Sequence, residues 1–148
     1  MQVTIHTDEG LNQLHERLHK LKPDTTPHSG EMNCSQMVCH IGDIFRLAKG
    51  EIMGHEYRGT APEVIDAMTK AGKTIEDMDS NTQVKGTGTR PTHFEADIDT
   101  FKQLLAEFNS LPEDHPFAPH PYFGQMSKQD WTDLANFHIN HHLEQFGV

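Results

Sequence analysis

At 148 residues and 16.8 kDa the chain has the length of one compact domain, so residues 1–148 are read as a single unit with one core and no second enzyme-sized domain. Asp and Glu number 22 against 12 Lys and Arg, and the resulting formal charge of −10 repels phosphate backbones and anionic lipid, which argues against nucleic acid and membrane surfaces as partners. No apolar run approaches the ~18 residues of a membrane span, and the opening MQVTIHTDEG has neither the basic nor the apolar region of a signal peptide, so a cytoplasmic protein is expected.

Four amphipathic segments follow in chain order, each behind a capping residue. Thr7, with Asp8 and Glu9 in the first turn, opens helix 1 over roughly 8–21, and Leu11, Leu14, Leu18 and Leu21 keep helical spacing until Pro23. Asn33 with Gln36 forms a capping-box pattern that opens helix 2 over roughly 34–49, where Met37, Ile41, Ile44, Phe45 and Ala48 recur on one face up to Gly50. Thr92 with Glu95 repeats the pattern ahead of helix 3, whose stripe of Phe94, Ile98, Phe101, Leu104, Leu105, Phe108 and Leu111 is the strongest in the chain. Ser127 with Asp130 opens helix 4 and Gly147 closes it.

About forty residues separate helices 2 and 3, far more than the ~2–8 of a tight helical turn, and they carry a short helix candidate at 61–71 behind Thr60. The segment before helix 4, LPEDHPFAPHPYFGQM, holds four prolines and reads as a stiff irregular connection. No stretch alternates with a period of two for long enough to make a sheet. The fold expected is therefore all-α: a four-helix bundle with a long crossover between helices 2 and 3, which then run parallel, and with helices 2 and 4 antiparallel.

Histidine is the compositional outlier, at 12 of 148 residues. Imidazole is the commonest transition-metal ligand, and an H-x-x-x-H pair places two on one helical face. Chance alone supplies about one such pair at this frequency, so the wheel must separate His15/His19 from His138/His142. In helix 4, Asp133, Asn136, Asn140 and Glu144 mark a wet face, and His138 and His142 lie opposite it among Trp131 and Ala135. His15 and His19 fall about 80–120° from the leucines of helix 1 and read as solvated. His40 sits on the flank of helix 2's apolar face. At ~1.5 Å per residue it lies about 10 Å from the start of its helix, and His138/His142 lie about 9 Å from the end of theirs. Antiparallel packing brings the three to one height. His120 precedes helix 4 and is read as a loop residue roughly 15 Å or more from His138 along the axis.

Burying neighbouring imidazoles costs free energy unless their nitrogens find partners, which a metal ion, or alternatively Asp, Gln or water in the core, would provide. Cys34 and Cys39 lie about 140° apart around one helix and cannot bridge each other; Cys39 points about 100° from His40 and is read as a bystander. Trp131 is assigned to the core.

The segments NCSQMVCHIGDIFRLAKG and HPYFGQMSKQDWTDLANFHINHHLEQFGV resemble the DinB-like superfamily of four-helix bundles, and within it a branch of unassigned function that ends in HHL-x-QFG. Residues 51–91 match no pattern in it. The resemblance implies one metal-binding histidine from the second helix and two from the last, which fall on His40, His138 and His142, and it is compatible with a homodimer. Relatives of this type include metal-dependent enzymes that use low-molecular-weight thiols alongside stress-inducible proteins, so the fold selects no substrate.

The function expected is a divalent-metal-binding protein with zinc or nickel on the three histidines. Open coordination positions would serve thiol transfer to a small-molecule substrate or metal-assisted hydrolysis. The alternative is a non-catalytic bundle in which the metal, or the histidines alone, are structural. No further acid or base, no carboxylate to support the histidines from behind and no substrate motif is evident in the sequence.

Overall fold

The computed structural model describes residues 4–30, 32–51, 89–120 and 123–148, and contains among them four α-helices and no strand. These are α1 (Asp8–His19), α2 (Cys34–Ala48), α3 (Phe94–Ser110) and α4 (Lys128–Gln145). The helix expected over 61–71 lies outside the described residues. Among the described residues no helix is long and apolar enough to cross a membrane.

Three of the four expected caps form. Thr7 Oγ1 accepts from the amide of Gly10, and Asn33 with Gln36 and Ser127 with Asp130 close reciprocal capping boxes. The fourth differs: His93, not Thr92, occupies the cap position of α3 and supplies no side-chain bond. Asp97 draws Thr92 away, accepting from its amide at 2.9 Å and its hydroxyl at 2.7 Å. At the far end of α4, Gly147 takes φ +76 and lets the amides of Gly147 and Val148 reach back to Glu144 and Leu143.

Helix α2 is the centre of the bundle: every residue from Met37 to Phe45 is buried, so it has partners on nearly every side. Helix α3 packs along it in the same direction, because contacts climb together from Gly42 near Phe101 and Leu104, through Phe45 and Phe108, to Lys49 and Glu107. Gly42 permits the close approach, since a Cβ there would stand 3.3 Å from Leu104 Cδ1. Helix α4 runs the opposite way to α2. His28, just before α2, donates its amide to the carbonyl of Gln145 at the end of α4, whereas Ala118, ahead of α4, donates to Ala48 at the end of α2.

The apolar core is densest in the C-terminal half of α2, where Phe45, Phe101, Phe108, Phe117 and Trp131 form a chain of rings with neighbouring centroids 5.1–6.5 Å apart. Polar exceptions anchor the rest. Arg17 reaches from α1 to donate to Asn140 Oδ1 at 2.6 Å and to the Val148 carbonyl at 2.9 Å. This corrects the expected wet face of α4 at one residue: Asp133 and Glu144 are exposed and Asn136 is half-buried, but Asn140 is only 4% exposed, because a buried guanidinium needs its oxygen.

Candidate metal centre

The aromatic half of the core gives way, one turn earlier in α2, to three imidazoles. His40 comes from the middle of α2, and His138 and His142 from one face of α4, where the i, i+4 spacing stacks them a turn apart. Their exposures are 4%, 2% and 0%. The ring centroids form a near-equilateral triangle: 4.7 Å from His40 to His138, 4.6 Å from His40 to His142, and 4.8 Å from His138 to His142. The planes are inclined at 53°, 86° and 82°, which excludes face-to-face stacking of any pair.

Burial, reinforced by the neighbouring histidines, holds both His40 and His138 well below the usual imidazole value of 6.5, so both are neutral at pH 7. Neutral imidazole is the form that binds a metal. The buried Nε2 of His40 has no hydrogen-bond partner, an outcome that costs free energy in a core unless something else accepts its lone pair or proton. His138 Nε2 makes only a long contact of 3.4 Å to the carbonyl of its neighbour His40.

His142 is better supported. Its Nδ1 lies 2.7 Å from Gln145 Oε1, and an amide oxygen can only accept, so the proton sits on Nδ1 and the lone pair on Nε2. Gln145 thus holds the far nitrogen of the ring and fixes the tautomer in the way that outer partners of metal-binding imidazoles do. It escapes a search for carboxylates, yet the i, i+3 spacing from His142 places both on one face and is the signal that finds it.

The three donor nitrogens lie within 4.8 Å of one another. Two nitrogens bound at ~2.0–2.1 Å to one ion stand at most about 4.2 Å apart, so small rotations of the rings complete the fit. The donor set, its neutrality and the orphaned nitrogen of His40 all suit a divalent transition-metal ion.

The remaining expectations divide. His15 is half-buried and His19 exposed on α1, outside the cluster. Cys34 and Cys39 are free and buried, and burial pushes their thiols up to about 11 and about 12, which leaves neither as a thiolate at neutral pH. Trp131 is 1% exposed in the core. His120 is a loop residue as expected, and it lies outside the histidine cluster but is buried. Amide–carbonyl bonds run in both directions between His120 and Gly124, His120 is 4% exposed, and its ring lies 5.5 Å from that of Trp131. Reading along the helix axis does not anticipate that burial, because it fixes no path for a loop. Phe123 stacks on His120 at 4.8 Å and is itself 54% exposed.

Neither a curated protein nor a solved structure matches the chain significantly. A family model does, described as the DinB superfamily, and it matches residues 6–146, a span that takes in all four helices and the three histidines. The match selects no branch within the superfamily. With nearly the whole chain covered, and with helices in the arrangement described, the protein belongs to the DinB superfamily.

Proposed function

We propose that the protein binds one divalent transition-metal ion, zinc or nickel, through His40, His138 and His142, and presents it to a small-molecule ligand. The observation that carries this reading is the convergence of three neutral, buried imidazoles in which His40 Nε2 is left without a partner. A hydrogen-bonded polar core would pair that nitrogen; an ion uses it. When bound, such an ion supplies a Lewis acid that lowers the pKa of water or of a thiol towards neutrality.

The chain's own residues do the rest. Gln145 holds His142 with its lone pair on Nε2, burial keeps His40 and His138 unprotonated, and the packed rings exclude bulk water from the donors. Three protein ligands leave one position of a tetrahedral ion, or three of an octahedral one, to other molecules. The chemistry that follows is thiol transfer to an electrophile or metal-assisted hydrolysis.

A structural role has one observation in its favour: none of the three imidazoles is more than 4% exposed. Cobalt substitution separates the two. In the catalytic reading the visible spectrum of the cobalt protein changes when azide, imidazole or a small thiol is added. A spectrum that ignores all three shows a closed site and replaces the catalytic reading with the structural one.

A further inference from the structure

Away from the histidines, the start of α1, the end of α3 and the start of α4 enclose a cleft of about 400 Å³, within the range of small-molecule sites. Thr132, in its lining, is six residues before His138 on the same helix, hence about 9 Å away along the axis, so the cleft is distinct from the metal centre.

Its lining is chemically divided. On the α4 side stand Lys128 and Thr132. Lys128 Nζ donates to the carbonyls of Asn109 at 3.0 Å and Leu111 at 2.5 Å, bonds that fix the ammonium in place and leave one of its three protons over. Thr132 is 5% exposed, yet its hydroxyl makes no hydrogen bond among the described residues. That is unusual for a helical threonine, which ordinarily bonds the carbonyl one turn back, as Thr100 does to Ala96. Its oxygen is not sealed in the core, so the hydroxyl opens onto the cleft and can donate to a ligand there. Both helices that open here, α1 and α4, also present their N-terminal, partly positive ends. The lining also includes Asp8 and Glu113, exposed carboxylates that form no ion pair among the described residues.

We propose that this cleft binds a small zwitterion, an amino acid or short peptide, with its carboxylate on Lys128 and Thr132 and its ammonium on Asp8 and Glu113. A simple anion would leave the two carboxylates facing it unpaired, and a simple cation would face Lys128. A molecule with both charges answers both signs in the lining.

The test uses the full chain and a panel of free amino acids and unblocked dipeptides, with N-acetylated and C-amidated forms of each dipeptide as controls. Binding is read by chemical-shift perturbation and thermal stabilisation. At least one unblocked compound should bind, and blocking either end should weaken it about tenfold. Thr132→Val, which keeps the shape of the side chain, and the exposed Glu113→Gln should each weaken it similarly. The proposal is overturned if no compound in the panel binds at millimolar concentration, if blocked forms bind as well as unblocked ones, or if Thr132→Val leaves the affinity unchanged.

Discussion

A single hydrogen bond decides how well α4 serves the metal centre. With its Nδ1 proton held by Gln145, His142 offers the correct nitrogen before any ion arrives, and loss of such outer partners typically costs ~10–100-fold in metal affinity. Gln145→Leu should therefore weaken zinc binding by that factor in a competition titration, while Gln145→Glu, which still accepts the proton, should retain it or improve it. Equal affinities for wild type and Gln145→Leu would show that the bond has no part in the site. The cysteines offer a contrast. With thiols pushed up to about 11 and about 12, Cys34 and Cys39 should react with iodoacetamide at pH 7.5 far more slowly in the native state than after denaturation, as mass spectrometry of the alkylated protein would show.

The elements were legible in the sequence to different depths, and each gap has a cause. Caps that rest on local chemistry, at Thr7, Asn33 and Ser127, could be read directly because their partners lie three residues away. Thr92 misled, since the same residue types also bond to Asp97, five residues on. The histidine triad was legible because helix periodicity gives the face and helix length the depth. The burial of Asn140 was not, because it depends on Arg17, distant by 123 positions. Ser127→Ala should then cost about 1 kcal/mol in a urea melt, and Thr92→Ala distinctly less, its hydroxyl bond being no part of the α3 cap. Gly42 tests the packing of α2 on α3. Alanine there should be tolerated, because its gain in helix propensity of ~1 kcal/mol offsets a mild contact with Leu104, whereas leucine should destabilise by ~1–3 kcal/mol or more.

For the whole molecule, the buried imidazoles make stability and metal binding respond to pH together. Folded His40 and His138 titrate well below 6.5, whereas in the unfolded chain they take up protons near that value. Unfolding therefore consumes protons at acid pH. The stability of the metal-free protein is fully present above pH ~6.5 and falls as the pH drops, by about 1.4 kcal/mol per unit for each of these histidines until the folded values are reached. Denaturant melts of metal-free protein between pH 7.5 and 5 should show this slope, and a His40→Gln variant should show a shallower one. Bound metal, which prefers the folded state, should raise the melting temperature, and chelation should lower it again.

The central claim is that His40, His138 and His142 hold one ion, and metal content measures it most directly. Protein purified without a histidine tag, equilibrated with zinc or nickel and freed of excess, should carry one equivalent by elemental analysis. Single replacement of His40, His138 or His142 with alanine should abolish it, with circular dichroism confirming that each variant remains helical. The His15→Ala/His19→Ala double variant should keep its full equivalent. A wild-type protein that retains no ion, or a His138→Ala variant that retains one while the His15→Ala/His19→Ala variant loses it, would contradict the account.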